Sequence, residues 1–320
     1  MSVLVYIESK NSKPKKNSAE IISYGRGLAD MLSSELIILS FNIENTDDLS
    51  NYGPDKILNI QNDELIRFNV KKYVDVITQV CSSLSVNHIV VGGSADSKYL
   101  APPLSVKTDS SYISNVVGLP TTLDPFKLKR STYSNKAFSD VIINNSKKII
   151  GIYNNSFGTV EKKSNPELIS FDVKVPDSLL NTDSVEYGSG NISIADADIV
   201  VSAGRGLKGP ENWNIIEDLA KTLGAATACS KPVSDMGWRP HGEHVGQTGK
   251  PVATKLYIAI GISGAIQHLA GVSSSKVKVV INSDPEAPFF KAADYGIVGD
   301  AFDIIPRLNE KLKAFKASSN

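Results

Sequence analysis

The sequence predicts an α/β protein of two domains, and three observations carry that prediction. The chain has 320 residues, more than one hydrophobic core usually organises, so two compact units are expected. In both halves, short apolar runs alternate with segments of helical periodicity, the pattern of a mostly parallel sheet with crossover helices. Between Asp177 and Asn191 the chain turns polar, with Asp183, Glu186, Gly188, Ser189 and Gly190, a composition that suits a connection better than a packed element. The expected layout is residues 1–184 as the first α/β domain, 185–191 as a linker, 192–312 as the second domain and 313–320 as a frayed tail.

In order along the chain, Val3-Leu4-Val5-Tyr6-Ile7 is an unbroken apolar run that reads as a strand buried on both faces. A helical pattern follows around Ser18 to Leu32, then strands at Leu36 to Phe41 and Lys56 to Ile60. A second helical pattern around Asn69 to Leu84 leads into the strand His88-Ile89-Val90-Val91, which ends at Gly92-Gly93. From about Phe126 the composition shifts to Thr, Tyr, Ser and Asn, with short strands at Val141 to Ile143, Ile149 to Tyr153 and Leu168 to Val173. Strands in succession without helices between them predict an antiparallel extension of the first sheet. The second domain opens on Ile199-Val200-Val201-Ser202, passes through a helix from Glu211 to Leu223, and reaches its most informative stretch at Gly246 to Gly271.

That stretch reads as turn, buried strand, glycine corner and helix. The apolar run Leu256 to Ile262 carries no charge and ends at Gly261-Ile262-Ser263-Gly264, after which Ala265, Ile266, Leu269 and Ala270 recur at helical spacing. A helix beginning there, with Ser263 as its N-cap, would aim bare backbone N–H groups at the loop and form an anion site. Gly246-Gln247-Thr248-Gly249 adds donors just upstream, and Gln267 and His268 stand on the first turns of the helix.

Composition excludes several classes. Thirty-four basic and 34 acidic side chains cancel, so no nucleic-acid partner and no anionic membrane surface is expected. No apolar stretch reaches membrane-spanning length, and the N-terminus opens on a strand without a leader pattern, so the expectation is a cytoplasmic protein not embedded in a membrane. Cys81 and Cys229 show no metal spacing. His241 and His244 lie in a glycine and proline segment with no third ligand and read as solvated loop histidines, so no metal is expected.

Ser202-Ala203-Gly204-Arg205-Gly206-Leu207-Lys208-Gly209-Pro210 satisfies GxGxxG between a strand and a helix, the fingerprint of a dinucleotide site. No carboxylate stands at the end of the next strand, where Ser230-Lys231 is found. This disfavours NAD and leaves an NADP-dependent oxidoreductase as a rival reading. A nucleotide-binding stress-type module, with Gly92-Gly93-Ser94-Ala95-Asp96 as its phosphate loop, is a second rival. Gly246 to Pro251 does not have the spacing of an ATP phosphate loop, and no hydrolase arrangement is visible.

Five segments taken together, Gly204 to Lys208, Val245 to Lys250, Leu256 to His268, Ile281 to Pro288 and Ala293 to Asp300, closely resemble the alpha subunit family of the electron transfer flavoprotein. The resemblance is dense from Ile199 to Pro306, while the first half matches in layout and opening strand. It implies a nucleotide-alpha-hydrolase-like first domain that contacts a beta subunit, and a Rossmann-like second domain that binds FAD. The beta subunit would complete a heterodimer, cover the flavin and bind AMP.

Carried over by position, the resemblance implies that Arg205, Ser230, Lys231, Val245, Gly246, Gln247, Thr248, Ser263, Gly264, Ala265, Ile266, Gln267, His268, Asn282, Asp300 and Ala301 line the FAD. Ser263 and the amides to Gln267 suit the diphosphate, and Asn282 and Asp300 lie by strand ends that suit ribose or adenine. Thr248 would meet the flavin N5, and His268 the N1 and C2 carbonyl side, where charge gathers on reduction. Lys231 departs from the family's usual arginine, which keeps the charge but loses the planar group that stacks on a ring. The implied function is an electron carrier in fatty acid β-oxidation and not an enzyme with its own substrate. It would take electrons from acyl-CoA dehydrogenases and pass them to a membrane quinone oxidoreductase.

Overall fold

The computed structural model describes residues 2–133, 137–178, 180, 194 and 197–318. The expected linker at 185–191 lies outside the described residues. Residues 2–132 with 138–178 form one compact unit and 197–318 another.

The first unit is built on β1 (Ser2–Ile7), whose six residues are all buried, as its unbroken apolar sequence requires. It lies between β4 (Glu35–Phe41) and β6 (Val86–Val91) and pairs parallel with both. A two-stranded ribbon, β2 (Ser9–Lys10) and β3 (Lys13–Pro14), leads into α1 (Ser18–Met31). Beyond β4 come β5 (Lys56–Ile60) and, at the edge, β12 (Glu167–Ile169), both parallel. Helix α2 (Val70–Ser83) precedes β6, its Asn69 N-cap accepting from the Lys72 amide at 3.2 Å. Helix α3 (Ala95–Thr108) follows β6.

On the other side of β6 the order continues through β11 (Lys148–Ile152), β7 (Ser111–Val116), β9 (Phe126–Thr132) and β10 (Ala137–Ile143), with β8 (Thr122–Leu123) paired to β9. The antiparallel extension is thus confined to the far edge, where β9 runs antiparallel to β7 and β8 to β9. Two segments expected in it lie elsewhere. Strand β11 inserts parallel between β6 and β7, and β12 closes the opposite edge. The five residues of β11 are all buried, and a strand covered on both faces belongs inside a parallel sheet, not on an antiparallel margin.

In the second unit β13 (Ile199–Ala203), β14 (Ala226–Cys229), β15 (Leu256–Ile260), β16 (Val277–Asn282) and β17 (Tyr295–Val298) form a fully parallel sheet in the order β14-β13-β15-β16-β17. Counted within the unit this is 2-1-3-4-5, a doubly wound order whose direction reverses between β13 and β15. Helices α4 (Asn214–Leu223) and α7 (Ala301–Ser318) cover one face through Trp213, Ile216, Leu219 and Ile305. Tyr257, Val272 and Phe289 fill the other. Helix α7 runs through Ser318, so most of the expected tail is helical. Among the described residues no helix is long and apolar enough to cross a membrane.

Candidate functional site

In doubly wound sheets the crevice available to ligands opens beyond the carboxyl ends of the strands, where the strand order reverses. In the second unit that point lies between the loops after β13 and β15, and a crevice of about 550 Å³ opens there. The two loops touch through glycine backbones. The Gly206 amide donates to the Gly261 carbonyl at 3.1 Å, and a Cβ on Gly206 would stand 2.6 Å from the Gly261 Cα. Gly204 is as constrained, since a Cβ there would lie 2.3 Å from the Gly261 oxygen.

These contacts account for the GxG part of the sequence motif without a nucleotide. After Gly204 the chain forms 3-10 turns at Arg205–Leu207 and Pro210–Asn212, and α4 begins only at Asn214. The third glycine of the pattern therefore does not open the helix, and the nicotinamide reading loses the geometry it needs.

The wall beyond β14 is made by α5 (Lys231–Asp235) and the segment from Arg239 to Lys250. Arg239 anchors that segment. Its guanidinium donates to both oxygens of Glu243, at 2.9 and 2.7 Å, and to Glu217 at 2.8 Å, and it lies 5.4 Å over the Trp213 ring. The chain then enters the sheet edge, with the Val245 amide bonded to the Cys229 carbonyl at 3.0 Å. This pairing buries His244, which is only 2 % exposed and lines the crevice. The expectation of a solvated loop histidine is overturned there. Its Nδ1 is buried without a hydrogen bond. Burial holds its pKa below the usual value, with His241 and Lys231 pushing the same way and Asp235 opposing.

The floor is α6 (Ile266–Val272). Ser263 does not cap it: the cap position is Ala265, with no side-chain bond. The corner turns at Gly264, at φ +88, where a Cβ would meet the Phe289 amide at 2.5 Å. His268 is buried, and its Nε2 lies 2.9 Å from the Tyr257 hydroxyl. Whichever atom of that pair donates, Nδ1 remains a buried nitrogen without a hydrogen bond. Burial lowers the His268 pKa to about 4, with His244 adding and the Val245 backbone opposing.

Most of the residues expected at the site meet around this crevice: Arg205 beyond β13, Ser230 and Lys231 beyond β14, and Val245 to Thr248 on the wall. Ser263, Ala265, Gln267 and His268 line the floor, and Asn282 the end of β16. Gly264, Ile266, Asp300 and Ala301 stand outside the lining. Ile266 is 81 % exposed, Ala301 packs into the core, and Asp300 accepts from the Phe302 amide at 3.0 Å and pairs with Lys208 at 3.4 Å. The lining also includes Gly206, Pro232, His244, Gly261, Ile262 and Asp284, which sequence reasoning did not assign to it. Among the described residues no group of three His, Cys, Asp or Glu could hold a metal.

The corresponding edge of the first sheet is filled by the chain itself. Ser94 and Ser97 hydroxyls and the Lys15 ammonium all donate to the buried Glu8 carboxylate. A carboxylate in that position repels a phosphate, which removes the support for a nucleotide loop at Gly92 to Asp96.

Comparison with known proteins follows the same division of the chain. Residues 3–176 match the family Electron transfer flavoprotein domain, and residues 193–273 match Electron transfer flavoprotein FAD-binding domain. The second match spans β13 to α6 and with them most of the crevice. The chain is 34 % identical over 321 residues to the electron transfer flavoprotein subunit alpha of Bacillus subtilis (strain 168), covering 99 % of each. It is 32 % identical to the subunit of that name from Thermoanaerobacterium thermosaccharolyticum, covering 98 % of each. To that of Paracoccus denitrificans it is 40 % identical, over 71 % of this chain and 73 % of the relative. Matched in both halves and alike over its whole length, the chain belongs to the electron transfer flavoprotein alpha-subunit family.

Proposed function

We propose that this chain is an electron carrier that holds FAD in the crevice between the β13 and β15 loops and works as a heterodimer with a beta subunit. The observation that carries the reading is the coincidence of the FAD-binding family match with a crevice at the reversal point of the second sheet, lined by two buried imidazoles, His244 on its wall and His268 on its floor. Bound FAD supplies a ring that takes and gives electrons singly or in pairs.

The residues present fit such a group. No side chain caps α6; the His268 amide bonds the Ala265 carbonyl at 2.8 Å, and the two amides before it, of Ile266 and Gln267, which no helix carbonyl can reach, suit diphosphate oxygens beside Ser263. Arg205 and Lys231 bring positive charge to the same mouth. Thr248 and Gln247 offer exposed polar groups on the wall for the ring, and the half-buried Asn282, whose amide donates to the Ile262 carbonyl at 3.1 Å, lines the crevice at the end of β16. His244 and His268 each present a buried Nδ1 without a hydrogen bond, and polar atoms left in that state favour a polar ligand. The glycine contact of Gly206 with Gly261 keeps bulk out of the space between the loops.

The partners complete the proposal. A beta subunit covers the FAD and binds AMP, acyl-CoA dehydrogenase-type flavoproteins donate electrons, and a membrane quinone oxidoreductase accepts them in the cytoplasmic setting. The test is a visible spectrum of the chain co-purified with its beta subunit. A flavin spectrum corresponding to about one FAD per pair is expected, bleached by dithionite and restored by air. A colourless pair that stays colourless on incubation with FAD overturns the reading.

A further inference from the structure

We propose that His244 is the proton-accepting side chain of the crevice, neutral beside oxidised FAD and protonated when the bound ring is reduced. The inference rests on the FAD reading and deepens it, because it assigns a role to a histidine that sequence reasoning placed in solvent.

Geometry singles out this ring. His244 lines the crevice at 2 % exposure. It is pressed between two glycines: a Cβ on Gly249 would stand 2.8 Å from its Cγ and Nδ1, and one on Gly246 would stand 3.4 Å from its Nε2. Its main chain is fixed as well, with the His244 carbonyl accepting from the Lys250 amide at 2.9 Å. The imidazole is therefore held in one place, while its Nδ1 makes no hydrogen bond. A ring nitrogen kept without a partner by rigid backbone is open to a proton when the local charge calls for one.

The charged neighbours give the sign. Burial opposes a charge on His244, and His241, 5.6 Å away between ring centroids, and Lys231 oppose it as well. Asp235 favours that charge. Glu243 and Arg239, on the same segment, neutralise each other in their bidentate pair. The side chain is thus tuned toward the neutral form before reduction. Negative charge added on reduction reverses the balance, and His244 then binds a proton from water, so that the charge of the crevice stays level. The electron comes from the external donor, no bond to the ring is made or broken by His244, and on reoxidation the proton returns to water. His268 is the poorer acceptor, because its Nε2 is already engaged by Tyr257 and it lies in the apolar floor beside Phe289.

The test uses the FAD-loaded heterodimer titrated with dithionite, with the midpoint potential followed from pH 5 to 9. Wild type is expected to show a segment in which the potential falls more steeply with pH by one proton per step. His244→Gln, whose amide cannot take a proton, is expected to lose that segment, and His268→Gln to keep it. An unchanged pH profile in His244→Gln, or its loss in His268→Gln alone, overturns the inference. If His244→Gln does not hold FAD, the histidine ring signals of the wild type decide the matter, and with four histidines in the chain they are readily assigned. The His244 signal should titrate at least about tenfold more readily, one pH unit higher, in the reduced pair than in the oxidised one. Equal titration in both states overturns the inference while leaving FAD binding intact, whereas absence of a flavin spectrum in the wild type overturns the functional reading itself.

Discussion

Tyr257 and His268 show how one residue pair ties core to site. Tyr257 is fully buried in β15, stacks on Phe289 at an interplanar angle of 2°, and meets His268 Nε2 at 2.9 Å. Burial pushes its phenol pKa well above the usual value, so the hydroxyl keeps its proton. Tyr257→Phe retains the ring stack and removes only the hydroxyl. It leaves His268 Nε2 unpartnered in an apolar floor, at a cost of about 1–3 kcal/mol. Urea unfolding should show the midpoint reduced with an unchanged slope, and equal midpoints would mean that the bond stabilises nothing. Single residues also mark where the sequence was hard to read. Gly204 and Gly206 are visible as a motif, but a glycine that admits a phosphate and one that admits another backbone carry the same letter, and here the neighbour is Gly261. His244 sits among polar letters, and its burial comes from strand-edge pairing at Cys229, a long-range contact with no local signature.

Among the elements, the segment from Arg239 to Lys250 has no regular structure beyond a 3-10 turn at His241–Glu243, and it still holds one wall of the crevice. Its order comes from the Arg239 clamp on Glu243 and Glu217. Arg239→Lys keeps the charge but cannot reproduce the two-pronged contact with Glu243 or the planar stack over Trp213. The expected loss is about 1–2 kcal/mol of order in the wall, read as roughly 5- to 30-fold weaker FAD retention on dilution. Retention equal to wild type would show that the wall stands without the clamp. The regular elements were the legible ones: β1, α1, α2, β13 and β15 lie where apolar periodicity placed them. The sheet positions of β11 and β12 were not legible. Their sequences say that they are strands, but the partner of a strand is decided by the rest of the sheet, and Ile149 and Ile150 find β6 and β7 only after the whole unit assembles. At the floor the corner was read correctly as strand, glycine and helix, while the cap was assigned two residues early, because Gly264 at φ +88 carries the chain past Ser263 before α6 begins.

Across the whole molecule, both units bury histidine in neutral form, His88 in the first and His244 and His268 in the second, and this sets a common response to acid. In the first unit His88 is brought to about 4 by burial and by Lys148. In the second His268 is brought to about 4 by burial and by His244. Both lie below the ordinary value of 6.5, so the unfolded chain binds protons more readily than the folded one, and stability rises with pH in that interval. The stabilisation is fully present above about pH 6.5, is lost as pH falls toward 4, and changes no further once both states are protonated. From pH 7 to pH 5 His88 and His268 should each withdraw about 2 kcal/mol from their own units. Carboxylates held low, such as Asp294 by the Lys278 amide and Asp140 by Lys127, release their contribution only at more acid pH, which leaves this window to the histidines. Urea midpoints measured at half-unit steps from pH 7.5 to 4.5 should therefore fall steeply in wild type. His88→Gln should flatten the response of the first unit, and His268→Gln should reduce that of the second, where the buried His244 keeps its own part, whatever each substitution does to stability at neutral pH. A wild-type midpoint that stays level down to pH 5 would show that these rings accept protons in the folded chain as readily as in the unfolded one.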